Sequence, residues 1–486
     1  MLHRNNRPIP DNNNTDTIES NAVASTVIVA QCTPQGSGAI ALIRLSGAQA
    51  CAVADHICKT ANGQKITDAA SHTVHFGYAV DLAGSTIDQV MIAIMHAPRT
   101  FTGEHVVEIT CHNNQFIIED IIARAVRAGA RPARAGEFAR RAFQNGKIDL
   151  IKAEAINDLI HAQTQQALKK SLAQLSGSFS QWICELEQDV LKSLMLCEAG
   201  LEFLDEEVDF SSDIKTSIAA VLKKISTVKK TFDTHEHIRR GFRVVLIGSV
   251  NAGKSSLFNA LLGYKRAIVS AQAGTTRDTV EAGLTLNGNY LTVIDTAGIR
   301  QTENSIEQEG VMRSYDEAQK ADIILLVFDG SRALLPEEAD LYKKICAYYQ
   351  NKVIPVHHKA DSTEHPENFG MFLMQDAGPA FGENILKTTA SDQTCIQKLE
   401  KSIDGKIRAL CATLDSPFLL NKRQHALLSE LENRLEHILT GMQHAFHPEL
   451  TAHELRSALE SITELTGKSI TDAAVDAIFK EFCVGK

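Results

Sequence analysis

Gly248-Ser249-Val250-Asn251-Ala252-Gly253-Lys254-Ser255 reads G-x-x-x-x-G-K-S. Directly before it runs Val244-Val245-Leu246-Ile247, an apolar stretch of strand length. Directly after it, Ser256-Leu257-Phe258-Asn259-Ala260-Leu261-Leu262 has the spacing of a helix face, with Gly263 to stop it. Strand, glycine-rich turn and helix form the setting a phosphate loop requires. The glycines let backbone N–H groups close round a phosphate, and the helix N-terminus adds positive potential. In that setting Lys254 reaches the β- and γ-phosphates and the Ser255 hydroxyl holds Mg²⁺.

Working outward, residues 241–404 read as an α/β domain. Asn287-Gly288, between Leu284-Thr285-Leu286 and the run from Tyr290 to Ile294, is a hairpin signal. Ile323-Ile324-Leu325-Leu326-Val327-Phe328 and Val353-Ile354-Pro355-Val356 read as buried parallel strands. The expectation is a Ras-like P-loop domain: a mostly parallel sheet with one antiparallel edge strand and helices on both faces.

Further motifs follow in order. Asp295-Thr296-Ala297-Gly298 closes the hairpin's second strand. An Asp there can hold a Mg²⁺-bound water, and the Gly298 N–H can meet a γ-phosphate. Upstream, Gly274-Thr275-Thr276-Arg277-Asp278 sits in a loop, where Thr276 offers Mg²⁺ a second hydroxyl. Downstream, His358-Lys359-Ala360-Asp361 follows a strand. Its Asp can accept hydrogen bonds from the N1–H and 2-amino group of guanine, a pattern adenine lacks. Thr389-Ala390-Ser391 stands where a last base-contacting loop belongs. Together these motifs make a GTPase. They resemble the translation-factor-related class of P-loop GTPases, whose fourth motif usually reads N-K-x-D; here His358 replaces the Asn. Ile299 stands where Ras-like proteins carry a catalytic Gln. An apolar side chain cannot orient water, so hydrolysis needs another positioning group and another positive charge. Asn251 can offer its side-chain oxygen to a monovalent cation, with carbonyls of the 270–275 loop completing the site. Glu307 reads either as an exposed switch-region acid or as a group that positions water.

The rest of the chain has three parts. Residues 1–24 are polar and Asn-rich and read as a disordered tail. Residues 25–144 read as a small α+β domain: Val27-Ile28-Val29-Ala30, Ile40-Ala41-Leu42-Ile43, Val90-Met91-Ile92-Ala93-Ile94 and Val106-Val107-Glu108-Ile109 at strand lengths, with helices near Gln49–Lys59 and from Phe116 to Ala128. Residues 145–240 and 405–486 are helical in period and read as one domain, split by the inserted nucleotide domain. Leu168, Leu172, Leu175, Phe179, Trp182, Leu186, Val190 and Leu194 read as one long apolar stripe. The fold class expected is therefore multidomain, α/β plus α.

Composition bounds the function. Of 486 residues 44% are hydrophobic, and no apolar run reaches the ~18–20 residues of a membrane span. Ten cysteines without a C-x-x-C pair suit a reducing cytoplasm. A net charge of −10 gives the whole molecule no attraction for nucleic acid, although Arg124, Arg127, Arg131, Arg134, Arg140 and Arg141 crowd together. That cluster reads equally as a solvated helix face or as an RNA-facing patch.

Over nearly its whole length the chain resembles the MnmE (TrmE) family. Four stretches carry the match. Ser25–Gly47 ends Ile43-Arg44-Leu45-Ser46-Gly47. Phe101-Thr102-Gly103-Glu104-His105-Val106-Val107-Glu108-Ile109 resembles the family's F-T-G-E-D-V-x-E. Arg134-Ala135-Gly136-Glu137-Phe138-Ala139-Arg140-Arg141-Ala142-Phe143-Gln144-Asn145-Gly146-Lys147-Ile148-Asp149-Leu150 leads into Ala153-Glu154-Ala155-Ile156. Phe482-Cys483-Val484-Gly485-Lys486 resembles the terminal F-C-x-G-K. The chain departs from the family with Cys111-His112-Asn113-Asn114 in place of G-H-G-G, and with Val250 where Pro is common.

The resemblance implies a cytoplasmic homodimer that works on tRNA with an FAD-dependent MnmG-type partner, as a heterotetramer, away from membranes. Together they install a (carboxymethyl)aminomethyl-type group on C5 of the wobble uridine. A 5,10-methylene- or 5-formyl-tetrahydrofolate supplies the one-carbon unit, and GTP hydrolysis is coupled to the modification. Residues 25–144 would bind the folate and dimerise, using Arg44, Glu108, Lys147 and Lys486. A carboxylate suits a pterin's N3–H and amino edge, and cations suit glutamyl carboxylates. GTP would be held by Asn251, Ala252, Gly253, Lys254, Ser255 and Ser256. Further contacts would come from Ser270, Ala271, Gln272, Ala273, Gly274, Thr275 and Thr276, from Asp295, Thr296, Ala297 and Gly298, and from His358, Lys359, Ala360 and Asp361. Mg²⁺ falls to Ser255 and Thr276. K⁺, in place of an arginine finger, falls to Asn251, Ser270, Gln272 and Thr275. Glu307 matches the catalytic glutamate, beside Lys254, and Cys483 is required for modification. Two other readings compete: an Era- or Der-like RNA-binding assembly factor without substrate chemistry, and a folate-binding one-carbon enzyme with a regulatory GTPase.

Overall fold

The computed structural model describes residues 26–202, 210–230, 232–263, 280–296, 315–362, 385–389, 392–411, 417–444 and 446–485. The chain divides into two compact units: Met1–Asn157 with Ile462–Lys486, and Asp158–Ser461.

The first unit is built on a seven-stranded sheet. Its strands are β1 (Ile28–Gln31), β2 (Ile40–Ser46), β3 (Cys58–Thr60), β4 (Thr73–Val80), β5 (Thr86–Met95), β6 (Val106–His112) and β7 (Arg131–Pro132), in the order β3-β4-β5-β6-β2-β1-β7. All neighbours are antiparallel except β1 and β7. Alternation drives burial onto one face: Val90, Ile92 and Ile94 of β5 point inward with Ile43, Val107 and Ile109. Two helices, Ala50–Ile57 and Gln115–Arg127, cover that face with Val53, Ala54, Ile57, Ile118 and Ile121. The helix expected over Gln49–Lys59 stops at Ile57, because Cys58–Thr60 pairs with β4 instead. Asn114, a departure from the family's glycine, caps the second helix by accepting the Phe116 N–H at 3.0 Å.

The end of the chain belongs to this unit. The helix Asp472–Lys480 packs beside Glu137–Gln144 through Val475, Phe479, Phe482, Ala139 and Ala153. The last residues then meet β1. The Cys483 carbonyl accepts the Gly136 N–H at 3.2 Å, and the Gly485 carbonyl accepts the Cys32 thiol at 3.1 Å. Gly485 is at φ +93°, and a Cβ there would lie 2.5 Å from the Gln31 carbonyl oxygen. Only glycine fits.

The second unit holds a six-stranded sheet of β8 (Phe242–Gly248), β9 (Val280–Leu286), β10 (Asn289–Asp295), β11 (Ile323–Asp329), β12 (Val353–His358) and β13 (Leu386–Thr388), ordered β13-β12-β11-β8-β10-β9. Only β9, at the edge, is antiparallel to its neighbour. Cores lie on both faces, as expected of a strand run that is apolar throughout. Asn287 and Gly288 take φ +48° and +82°, the type I′ geometry their sequence signals. The final helix, Gln393–Cys411, runs past the expected boundary at 404. Its Ile396, Leu399, Ile403 and Ile407 pack on the sheet, each buried side chain contributing about 1.5–3 kcal/mol.

Long helices complete the unit: Gln165–Leu175, Ser178–Glu202, Ser211–Lys229, Lys422–His444 and, as far as Ser461, Pro448–Thr466. The expected continuous stripe is broken. Gly177, at φ +101°, separates the first two helices, and Leu168 and Leu172 are 47% and 54% exposed. Packing begins in earnest at Phe179, which joins Trp182 and Phe418 in an aromatic cluster with centroids 4.9–5.7 Å apart. The β9–β10 hairpin docks here through its backbone, with the Gln165 side chain lying over Gly288. Gln165 N–H donates to the Gly288 carbonyl at 2.9 Å and Tyr290 N–H to the Gln163 carbonyl at 3.0 Å, with Thr164 bridging to Asn289.

Candidate functional site

The phosphate loop leaves the carboxyl end of β8, where a parallel sheet presents its ligands. Asn251 and Gly253 turn it through φ +63° and +93°, and the helix Lys254–Gly263 begins at once. The side chains around it are already organised. Lys254, 4% exposed, donates to the carbonyls of Gly248 and Ser249 at 2.8 and 2.6 Å. Burial holds its pKa below the usual lysine value, against the pull of Asp295 and Glu338. Ser255 donates its hydroxyl to Asp295 Oδ2 at 2.6 Å. A hydroxyl and a carboxylate this close, at a helix N-terminus, form the hard-oxygen pair that suits Mg²⁺. Thr296 anchors the end of β10 by donating to the Leu246 carbonyl at 2.8 Å. Ser256 and Asn251 are exposed, and Ala252 is buried in the core beneath the loop.

The fourth motif reaches the loop by two routes. Lys359, at φ +57°, donates to the Asn251 carbonyl at 2.7 Å and to Asp329 Oδ2 at 2.8 Å. That amine holds the Asp329 carboxyl below its usual range, against the opposing effect of burial. His358 is buried and shares a hydrogen bond of 3.0 Å with Thr388 Oγ1. Its ring lies so close under the loop that a Cβ on Gly253 would sit 2.2 Å from His358 Cδ2. The imidazole therefore fills the space between the fourth motif and the phosphate loop, where an Asn would brace. Burial, then Lys359, keep its pKa below the ordinary histidine value, so the ring is neutral at pH 7. Ala360 and Asp361 form a short 3₁₀ turn with the Asp361 carboxylate exposed, available to a base.

Sequence reading missed several supports. Tyr342 is fully buried; its hydroxyl accepts the Ser249 N–H at 2.9 Å and donates to the Val327 carbonyl at 3.2 Å. Arg332 donates to Ser249 Oγ at 3.4 Å and pairs with Glu338. The Asp that ends the apolar strand β11 was a legible signal; Tyr342 sits in an ordinary amphipathic helix and gives none. Ser270, Ala271, Gln272, Ala273, Gly274, Thr275, Thr276, Ala297, Gly298, Glu307, Ala390, Ser391 and Lys486 lie outside the described residues.

In the first unit Arg44 and Glu108 are register partners on β2 and β6, joined at 2.8 Å, with the guanidinium 5.5 Å from the Phe138 ring centroid. Lys147, exposed, donates to the Pro98 carbonyl at 2.9 Å. Cys483 is exposed at the docked terminus. The arginine cluster is largely committed to structure. Arg141, 5% exposed, grips Glu104 at 2.9 and 3.0 Å, Glu137 at 3.4 Å and the Thr26 carbonyl at 2.8 Å. Arg131 pairs with Glu137, Arg140 with Asp476, and Arg124 donates to the carbonyls of Val80 and His56. Only Arg127 and Arg134 are exposed. The reading as a broad RNA-facing patch is thereby lost for most of its members.

A family model described as GTP-binding protein TrmE N-terminus matches residues 27–147, and one described as MnmE helical domain matches residues 150–483. A tRNA modification GTPase MnmE of Geobacillus thermodenitrificans (strain NG80-2) is 36% identical over 468 residues, covering 94% of this chain and 99% of that one. The chain belongs to the MnmE family of tRNA modification GTPases. The MnmE of Bacillus subtilis (strain 168) is 34% identical over 464 residues with the same coverage. Among solved structures, Aquifex aeolicus Era bound to GDP.AlF4- is 29% identical over 33% of this chain and 55% of that one, at TM-score 0.26. Two of the MnmE family's motif stretches thus have a structural role here: F-T-G-E and R-A-G-E-F-A-R-R meet in the buried Glu104–Arg141–Glu137 network.

Proposed function

We propose that this GTPase couples GTP hydrolysis to aminomethyl-type modification of C5 of the tRNA wobble uridine, with an FAD-dependent partner and a tetrahydrofolate one-carbon donor. The observation that carries the GTP half is the Ser255–Asp295 contact at 2.6 Å beside a buried Lys254 and an exposed Asp361. Ser255 and Thr276 would hold Mg²⁺, with Asp295 on a Mg²⁺-bound water. The metal supplies charge neutralisation at the β- and γ-phosphates. The backbone N–H groups of the loop and Lys254 bind and orient the phosphates. Lys254 trades its two carbonyl partners for phosphate oxygens. Asp361 reads guanine, and His358 packs the fourth motif against Gly253.

K⁺ would be bound by Asn251, Ser270, Gln272 and Thr275, and Glu307 would orient the attacking water. The left-handed turn at Asn251, fixed by Lys359 on its carbonyl, supports the K⁺ reading because it leaves the side chain exposed at the loop's rim. The Arg44–Glu108 pair supports the folate reading: it sets a carboxylate and a cation side by side, partly exposed, for a pterin and a glutamyl tail. Lys147 and Lys486 would add cationic contacts. Cys483 would serve the modification step. We place the reaction in the cytoplasm, in a homodimer joined by its MnmG-type partner; among the described residues no helix is long and apolar enough to cross a membrane.

The test is GTP turnover in KCl against NaCl at equal ionic strength, with Glu307→Ala alongside. The reading expects turnover at least tenfold faster in K⁺. It also expects Glu307→Ala to bind nucleotide normally while losing most turnover. Equal, slow turnover in both salts would overturn the cation site.

A further inference from the structure

Apart from the residues assigned to either site, Cys51, His96 and His105 converge in the first unit. Cys51 lies in the helix Ala50–Ile57, His96 follows β5, and His105 precedes β6. Potential ligand atoms of all three lie within 4.8 Å of one another. Cys51 Sγ is 3.8 Å from His96 Nδ1, and His96 Nδ1 is 3.1 Å from His105 Nδ1. We propose that Cys51, His96 and His105 form a binding site for a thiophilic d¹⁰ cation, Zn²⁺, with a solvent molecule in the fourth position.

The proton arrangement argues for a cation. His96 Nε2 lies 2.9 Å from the Ala69 carbonyl oxygen. A carbonyl only accepts, so Nε2 carries the hydrogen and Nδ1 of the neutral ring presents a lone pair. His105 Nδ1 lies 3.1 Å from His96 Nδ1 and 3.4 Å from the Ala97 nitrogen, a long contact that its single lone pair gives up when it turns to a metal. A cation between the rings takes a lone pair from each. A backbone carbonyl on the far ring nitrogen, as Ala69 supplies to His96, is the kind of partner that fixes the tautomer of a metal-bound histidine. The spacing agrees as well. Zn–N of about 2.0–2.1 Å and Zn–S of about 2.3 Å put tetrahedral ligand atoms about 3.3 Å (N to N) and 3.6 Å (S to N) apart. Cys51 is 7% exposed in an apolar setting, as a structural zinc thiolate is, and its proton leaves to solvent when the metal binds.

His105 stands where the family stretch F-T-G-E-D-V-x-E has its Asp. The site joins the ends of β5 and β6 and the start of the first helix, and so secures the loop from Ala97 to Glu104. That loop supplies the Pro98 carbonyl to Lys147 and Glu104 to Arg141.

The experiment uses the full chain, tag removed and stripped with chelator, in excess Mg²⁺. Zn²⁺ is titrated against a chromophoric competitor, and Co²⁺ is used as a visible probe. The proposal expects one equivalent per chain and thiolate-to-Co²⁺ charge transfer in the near ultraviolet. It also expects loss of affinity by more than about a hundredfold in Cys51→Ala and in His105→Asn, beyond the 10–100-fold of a lost outer partner. Zn²⁺ should raise the melting temperature of the first unit in the wild type and in neither variant. Circular dichroism of the metal-free proteins checks folding; if Cys51→Ala does not fold, His105→Asn carries the test. A wild type that takes up no stoichiometric metal, holding instead a plain His–His hydrogen bond, overturns the proposal. So does metal uptake that both variants retain.

Discussion

At Gly253 a single hydrogen stands where any side chain would strike His358. An Ala there carries two penalties: φ +93°, costing about 1–2 kcal/mol in a residue with a Cβ, and a 2.2 Å approach to the imidazole. Gly253→Ala should weaken GTP binding at least tenfold in a fluorescent-nucleotide titration, and adding His358→Ala should return part of the loss. His358 also sets a pH response. Burial first, and Lys359 second, place its pKa in the fold below its ordinary 6.5. The unfolded chain then takes the proton at a higher pH than the native one. The stabilising contribution is full above about 6.5 and is lost as pH falls from there towards the folded value. His358→Asn should flatten this part of the melting-temperature profile; an unchanged slope would mean that another group titrates. The motif residues at this scale were legible because phosphate chemistry dictates their types and spacing. The packing of His358 on Gly253 was not, since a substitution in a motif says which atom is lost and nothing about what the new ring touches.

Among elements, the terminal segment and the arginine network show charge and glycine used for assembly. Gly485 lets the chain end pass so close to Gln31 that a Cβ would lie 2.5 Å from its carbonyl oxygen. Gly485→Ala should undock the segment, speed the reaction of Cys32 with a thiol reagent, and lower tRNA modification while leaving GTP turnover near wild type. Arg141 is the hub of a largely buried set. Removing it as Arg141→Ala leaves Glu104 without its cation and Glu137 with Arg131 as its remaining cation, at a cost of about 3 kcal/mol read by urea denaturation. Burial works to raise the Glu137 pKa, but its contacts with Arg131, Arg134 N–H and Arg141 bring it below the ordinary carboxylate value. That stability is present above about pH 4.5 and is lost as pH falls. Sequence reading took these arginines as a solvated face or an RNA-facing patch because they crowd together; the contacts that bury Arg141 come from residues 37 and 115 positions away.

For the whole molecule, the nucleotide fold was readable from strand lengths, the Asn287-Gly288 turn and motif order, all local signals. The attachment of residues 462–486 to the first unit was not, because periodicity reports that a segment is helical and never which core it joins. The stripe from Leu168 failed for the same reason: Gly177 breaks the helix, and the exposed leucines precede the break. The hairpin's backbone docking at Thr164 and Gln165 is likewise silent in side-chain pattern. It can be tested because Gln165 is the first helical residue after an extended Thr164 cap, a position that accepts proline. Gln165→Pro deletes the N–H that meets the Gly288 carbonyl while keeping the helix. Intrinsic GTP turnover should stay within about twofold of wild type, with tRNA modification falling severalfold. Equal loss of both activities would sink the idea. What the docking creates is a strut. Strand β10 spans about 20 Å from that junction to Asp295, held along its length by β8 on one side and β9 on the other. Any shift of Asp295 and Ser255 on loss of a γ-phosphate would be a displacement at one end of a stiff rod. Its far end is fastened to the helices, so that displacement would arrive there as force.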